Sequence, residues 1–236
     1  MRLINLSVIV LSSCIINTGS SKHDPPFKEG VIRFYTTFIT PSNDTTFAHY
    51  STIWYKDSAC IMEVRGMNSY TALGKTTRTN PIQFYRYIDL RARKMWAYRT
   101  LADTAKAFKA EPLPDSTLRG GGWNFYTEKL FVLDREPVLL ADTLENGITY
   151  KRARIHFTFE RPDAVTEGWF IEEGRGTLFS YEKAFSRKMN WTMVRSLDYG
   201  NGLPKPWAIQ EIRFLSDTVG GEEGRMLEVW RGRSRE

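Results

Sequence analysis

The segment Asn146-Gly147-Ile148-Thr149-Tyr150-Lys151-Arg152-Ala153-Arg154-Ile155-His156-Phe157-Thr158-Phe159 decides how this chain folds. Asn-Gly is the strongest short hairpin signal, because a two-residue hairpin turn needs positive φ at both central positions. The residues after the turn alternate. Ile148, Tyr150 and Arg152 share one side, and Thr149, Lys151 and Ala153 the other; further on, Ile155, Phe157 and Phe159 oppose His156 and Thr158. A repeat of two is that of a half-buried strand. The expectation is a long antiparallel strand, paired through the turn with Val138-Leu139-Leu140-Ala141.

The same signature recurs on both sides of this hairpin. Val31-Ile32-Arg33-Phe34-Tyr35-Thr36-Thr37-Phe38-Ile39 is rich in β-branched and aromatic residues. Residues 47–55 alternate, with Tyr50, Thr52 and Trp54 opposed to His49, Ser51, Ile53 and Tyr55. Lys56-Asp57-Ser58 turns the chain into a third strand at 59–65. These three make an antiparallel meander. Residues 83–90 and 94–99 read as another hairpin through Arg91-Ala92-Arg93. Residues 123–134 read as a strand or strand pair. Trp169-Phe170-Ile171 and residues 177–181 read as two more strands, and 207–215 with 225–231 as a closing hairpin over Gly220-Gly221.

Residues 66–81 are polar and read as a loop or a short irregular helix. Residues 101–110 fit a short helix or a strand, Gly120-Gly121-Gly122 marks a loop, and 185–199 carry no clear period. No ten-residue stretch has convincing helical periodicity. The expected class is mainly β: one antiparallel, strongly curved sheet or open barrel, with at most one or two short helices.

Composition supports a packed domain. Hydrophobic residues make 42% of the chain and aromatics 14%, which excludes disorder for most of it. The formal charge is +6, with clusters at Arg86, Arg91, Arg93, Lys94 and Arg99, at Lys151, Arg152 and Arg154, and at Arg231, Arg233 and Arg235. Such a field attracts anionic headgroups or acidic glycans, and the plain alternative is solvated strand faces with balancing acids.

The first residues set the expected address. Met1-Arg2 supplies a positive end and residues 3–11 an apolar stretch, far short of the ~20 residues that span a bilayer. Leu11-Ser12-Ser13-Cys14 resembles the bacterial lipobox at all four positions. That resemblance implies cleavage before Cys14, a diacylglycerol thioether on its sulfur and an acylated amine. Each buried methylene contributes ~0.8 kcal/mol, so two or three chains anchor stably where one does not. Asn5 and Ser7 interrupt the apolar stretch, which leaves a plain signal cut near Gly19-Ser20, or a buried first strand, as the other readings. The expected organisation is a lipoprotein signal at 1–13, a flexible tether at 14–28 and an antiparallel β domain at 29–236. The address is the cell envelope, at the outer membrane, with contact to the membrane through the Cys14 lipid and none with nucleic acid.

The run from Trp123 through Asp142-Thr143 to Gly147-Ile148-Thr149-Tyr150-Lys151-Arg152-Ala153 resembles the middle of the GLPGLI family of secreted proteins of the Bacteroidetes group. Gly202-Leu203-Pro204 is similar to the stretch that names the family, but Lys205-Pro206-Trp207 stands where a second Gly-Leu-Ile would be expected. A broader likeness is to curved-sheet carriers and lipoproteins of the LolA and LppX type. It implies an antiparallel half-barrel that holds acyl chains.

Chemical motifs are sparse. The chain has no nucleophile elbow, phosphate-binding loop, dinucleotide fingerprint or zinc-protease helix. His23, His49 and His156 lie far apart in the sequence, whereas a metal needs three or four convergent ligands. Cys60, among Ala59, Ile61 and Met62, reads as a buried, inert thiol. Asp142, Glu145, Glu172 and Glu173 are the acids available to glycoside hydrolysis, which needs two carboxyls ~5–10 Å apart, a separation that spacing along the chain does not give. The seven tryptophans are the better lead. Aromatics on a curved sheet either fill the core or line an apolar cavity. Trp54, Trp96, Tyr98, Trp123 and Trp169 are the ligand-facing candidates. The expected role is non-enzymatic and cofactor-free: binding or scaffolding in the envelope, with a lipid or other apolar ligand in a groove of the sheet, or with a protein partner. The alternative is a glycan-binding or glycan-processing surface lipoprotein.

Overall fold

The computed structural model describes residues 29–39, 45–66, 68–72, 75–113, 132–133, 136–159, 161–172, 183–200 and 204–234. Cys14, Trp123, Glu173 and the strand expected at 177–181 lie outside them, as does most of the strand expected at 123–134.

Fourteen strands are described. The first part of the chain holds β1 (Glu29–Ile39), β2 (Thr45–Lys56), β3 (Ala59–Arg65), β4 (Asn68–Ala72), β5 (Lys75–Thr79), β6 (Ile82–Asp89), β7 (Lys94–Tyr98) and β8 (Ala107–Pro112). The second part holds β9 (Val132–Leu133), β10 (Val138–Glu145), β11 (Ile148–Phe159), β12 (Arg161–Ile171), helix α1 (Lys183–Met189), β13 (Thr192–Tyr199), β14 (Ala208–Ser216) and helix α2 (Gly221–Arg233). All strands but two form one antiparallel sheet in the order β10-β11-β12-β13-β14-β1-β2-β3-β6-β7-β8, with β9 also paired to β11. The sheet is not closed into a barrel. Its centre is β1, which pairs with β2 on one side and with β14 on the other. The chain therefore lays down one half outward from the centre, crosses to the far edge, and works back.

The decisive hairpin forms as the residues require: Asn146 has φ 51° and Gly147 φ 78°, and Glu145 faces Ile148 across the turn. Two segments depart from the sequence reading, and a third takes one of its two alternatives. Within 66–81, Asn68–Ala72 and Lys75–Thr79 are neither loop nor helix but the separate antiparallel pair β4–β5, whose run of threonines suits strands. Residues 107–112 pair with β7 as a strand. Residues 225–231 are not the second arm of a hairpin but the middle of α2. Met226, Leu227 and Trp230 fall at i, i+1 and i+4, so a helix brings all three to one face, where all are fully buried. Glu222 and Glu223 in the first turn and Arg231 and Arg233 in the last complement the helix dipole.

The two faces of the sheet bury different things. On one, Ile32, Phe34, Ile53, Tyr55, Cys60, Ile88, Met95, Leu113 and Ile212 pack as a core. The same face at β11–β13 carries Ala153, Ile155, Phe170, Trp191 and Met193, covered by Phe185 of α1. A fully buried aliphatic side chain of this kind contributes ~1.5–3 kcal/mol. Between the two clusters lies a buried polar group: Thr166 Oγ1 donates to Asp198 Oδ1 at 2.6 Å, and Gln210 Nε2 donates to Oδ2 at 2.6 Å. Burial raises the Asp198 carboxyl above its usual range, and these two donors only partly offset it.

The other face is covered at one end by α2. Met226, Leu227 and Trp230 pack on Ala59, Ile61, Tyr87 and Tyr98, with Trp54 and Trp96 alongside. Arg231 donates to the Lys56 carbonyl at 2.8 Å and Arg233 to the Ala105 carbonyl at 3.0 Å. The rest of that face, from β2 to β11, has no helix on it among the described residues.

Candidate functional site

In β1, Ile32 and Phe34 point into the core, so Arg33 and Tyr35 point the other way. The same alternation turns Arg152 and Arg154 of β11, Trp169 of β12, Arg195 of β13 and Arg213 of β14 to this second face. Antiparallel pairing then aligns them. Arg152 is opposite Trp169, Trp169 opposite Arg195, Arg195 opposite Glu211, Glu211 opposite Tyr35, and Tyr35 opposite Tyr50. Alongside this row, Arg213 is opposite Arg33 and Arg33 opposite Thr52.

Five guanidiniums lie over three rings. Arg152 and Arg195 stand 4.9 and 4.4 Å from the Trp169 ring centre, Arg213 4.4 Å from Tyr35, and Arg33 and Arg65 5.3 and 4.2 Å from Tyr50. Each such contact is worth ~0.5–1 kcal/mol when exposed and more when water is excluded. Two arginines placed directly opposite, Arg213 and Arg33, would ordinarily repel. Here each lies over a tyrosine, Arg213 also reaches Glu211 at 3.2 Å, and Arg33 Nε donates to Thr52 Oγ1 at 3.3 Å.

Carboxylates thread the band. Arg152 and Arg154 both donate to Glu167, at 3.2 Å and, from Arg154 Nε, at 3.0 Å. Arg65 Nε and the backbone N–H of Thr52 both donate to Glu63 Oε2, at 2.9 and 3.1 Å. Arg195 Nη2 donates to both oxygens of Glu145, at 2.7 and 2.9 Å. That bond holds the Glu145 carboxyl below its usual range. The Trp169 indole, close by but outside hydrogen-bond geometry, and the Arg152 charge act in the same direction. Arg152 Nε, Arg195 Nε and Trp169 Nε1 are buried donors with no hydrogen-bond acceptor among the described residues. Three orphaned donors around one indole are unusual, because a buried donor left unpaired costs ~1–3 kcal/mol. Guanidiniums so arranged are suited to carboxylate, sulfate or phosphate, whose oxygens match their planar donors.

The aromatic candidates separate into two places. Trp54, Trp96 and Tyr98 come together, but around Trp230: Tyr98 stacks on its indole with ring centres 3.9 Å apart and planes within 8°. Burial pushes the neighbouring Tyr87 hydroxyl up to about 12. Trp169 lies on the same face but well along the sheet, between Arg152 and Arg195. Of the four acids weighed for hydrolysis, Asp142 and Glu172 meet on Lys151, at 2.8 and 3.4 Å, and Glu145 goes to Arg195. Sequence reading noticed Arg152 and Arg154 as charge but missed Arg33, Arg65, Arg195 and Arg213. The available signal was arginine or tyrosine at the outward position of successive strands; the register that lines them up was not.

A separate cleft of about 260 Å³ lies among Asp57, Ser58, Asp89, Arg91, Ala92 and Arg231. Its polar groups already serve the turns around it. Asp89 Oδ1 accepts from the backbone N–H of Arg91 and Ala92 at 2.8 and 3.0 Å, and Arg231 reaches Asp57 at 3.4 Å. Among the described residues no helix is long and apolar enough to cross a membrane. No protein-family model and no curated protein matches this chain.

Proposed function

We propose that this chain is a lipid-anchored cell-envelope protein with a non-enzymatic binding role, and that its binding surface is the arginine-aromatic face, which takes an anionic ligand. The observation that carries the reading is the cross-strand row in which five arginines lie over Trp169, Tyr35 and Tyr50. Sheet faces exposed to water are commonly built from Thr, Lys and Glu. A band of guanidiniums held flat by rings has lost side-chain freedom before any ligand arrives, which lowers the cost of binding. Trp54, Trp96 and Tyr98 are engaged by Trp230, so they direct the reading away from an apolar ligand and toward this band. The lipobox at Leu11-Ser12-Ser13-Cys14 supports attachment to the membrane.

The test is salt-dependent binding of anionic polymers to the full-length chain purified in detergent. Binding should weaken as salt rises and fall at least tenfold in the double variant Arg33→Gln, Arg213→Gln. Affinity unaffected by that pair, or no salt-sensitive binding of any anion, would overturn the reading. Anchoring is tested separately: Cys14→Ser should move the protein from the envelope pellet to the soluble fraction.

A further inference from the structure

We propose that the turn at 90–93, together with Lys94, rests on an anionic lipid surface and sets which way the anchored domain faces. This rests on the lipid-anchor reading above and is independent of the arginine-aromatic face.

The turn joins β6 to β7 and is fixed from three sides through its backbone. Asp89 Oδ1 accepts from the N–H groups of Arg91 and Ala92 at 2.8 and 3.0 Å. Leu90 N–H donates to the Ser58 carbonyl and Leu113 N–H to the Arg93 carbonyl, both at 2.9 Å. These main-chain groups bond inward, whereas Arg91, Arg93 and Lys94 are exposed. Arg93 has φ 52°, a conformation in which glycine or asparagine is less strained. The neighbouring acids are already engaged: Asp57 with Arg231 at 3.4 Å, Glu228 with Lys56 at 2.9 Å, and Glu111 with Lys109. Asp89 is buried behind the turn. Among the described residues no carboxylate pairs with the side chain of Arg91 or Lys94. Three cations within residues 91–94 therefore stand outward on a rigid support.

The register places this turn beside the point where the chain enters the sheet. Glu29, Lys56, Ala59, Asp89 and Lys94 lie opposite one another in succession across β1, β2, β3, β6 and β7. Four steps of ~4.8 Å put Lys94 within about 20 Å of Glu29, which is itself half-buried. Residues 14–28, 15 in all, lead from Cys14 to Glu29. A flexible chain of that length spans ~20 Å on average. An anchor on Cys14 therefore keeps the first strand, and the basic turn with it, near the headgroups. Each Lys or Arg close to an anionic surface favours partition about fivefold, an attraction that fades within ~10 Å at 0.1 M salt. Three such charges hold a free protein weakly. On a tethered one they act at the high effective concentration that the anchor creates, which favours one orientation over the others. The headgroup layer is the anion that the anchor itself brings to this turn, and that favours lipid over an acidic protein.

The experiment uses the full-length chain in two forms. The acylated protein is reconstituted into phosphatidylcholine vesicles with or without phosphatidylglycerol, carrying a dye at Ala92→Cys or, as the control, at Lys205→Cys. Cys60 is buried and does not take the dye. Lys205 is exposed and lies beyond the opposite end of β1, where Ile39 N–H donates to the Trp207 carbonyl. Energy transfer to a headgroup acceptor should be greater from position 92 than from 205 when phosphatidylglycerol is present. That excess should vanish in high salt and in the double variant Arg91→Gln, Lys94→Gln. Equal transfer from both positions, or an excess that survives the double variant, overturns the proposal. So does its removal by soluble polyglutamate at equal charge concentration, which would assign the turn to an acidic protein. The second form, Cys14→Ser, has no anchor. It should still sediment with phosphatidylglycerol vesicles and lose about 25-fold in partition in the double variant, at about fivefold per charge. No loss there overturns the lipid contact even where the anchor holds. A wild-type mass without acyl chains on Cys14, with the 25-fold loss intact, removes the anchor reading and leaves the contact.

Discussion

Asp198 carries a prediction of pH dependence that the rest of the core does not. Burial disfavours its charged form, so its carboxyl in the folded protein sits above the usual 3.8. A carboxyl raised on folding adds stability that is fully present below that value and is lost as pH rises through the folded pKa. Asp198→Asn removes the titration while keeping a neutral group between Thr166 and Gln210. The melting temperature of the variant minus that of the wild type should therefore grow as pH rises above about 3.8 and then level off. A difference that stays constant with pH would show that Asp198 is not the group responsible. Glu145 behaves in the opposite sense, because Arg195 holds it low; the stability that this pair contributes is present above its ordinary value and is lost on acidification.

The elements most open to test are α2 and the β10–β11 hairpin. Trp230 is fully buried and stacked on Tyr98, and it anchors the helix to the sheet. Trp230→Ala should cost about 3–5 kcal/mol in urea unfolding, as a large aromatic lost from a core does. A cost below about 1 kcal/mol, well under the range for such a loss, would mean that α2 is not docked as described. In the hairpin, Gly147 has φ 78° and nothing within 4 Å of an added Cβ, so Gly147→Ala meets backbone strain alone and should cost about 1 kcal/mol. Gly168 in β12 presents the contrary case: an added Cβ would lie 2.7 Å from the Phe170 ring. Gly168→Ala should cost about 1–3 kcal/mol by overpacking. A smaller loss for Gly168→Ala than for Gly147→Ala in thermal unfolding would contradict these environments. Sequence reading takes α2 for a strand because Met226, Leu227, Val229 and Trp230 come after a Gly-Gly pair in a chain otherwise full of hairpins. The helical spacing of its three buried residues and the acidic start and basic end are present, but the window is short. The β4–β5 pair escapes it for the opposite reason: Lys75, Thr76, Thr77, Arg78 and Thr79 have no apolar alternation, because both strands lie off the main sheet.

At the scale of the whole molecule, β1 is paired on both sides, whereas β8 and β10 end the sheet order. The described part of β10 also exposes Val138, Leu139 and Leu144. Local opening follows the number of partners a strand has and the apolar surface it buries. Amide exchange should therefore be slowest at Ile32 and Phe34 and faster by orders of magnitude in residues 107–112 and 138–145, read by mass spectrometry on the folded protein. Comparable protection in β1 and β10 would mean that the β10 edge is covered. The same order explains the extent of the arginine row, because only a sheet that keeps growing outward from β1 can line up side chains from β11 to β3.

What the sequence determined by itself is local. Alternation with a period of two, an Asn-Gly turn and frequent β-branched and aromatic residues dictate antiparallel strands, since each property acts between near neighbours in the chain. Mainly β character, the first meander and the decisive hairpin were legible on that ground. What only the tertiary structure decided is which strands lie side by side. The joining of β14 to β1, the docking of Trp230 among Trp54, Trp96 and Tyr98, and the alignment of Arg152, Trp169, Arg195, Tyr35 and Tyr50 all depend on pairing between segments far apart in the chain. The free energy that selects such pairing comes from burying whole faces together, and no window of sequence contains it.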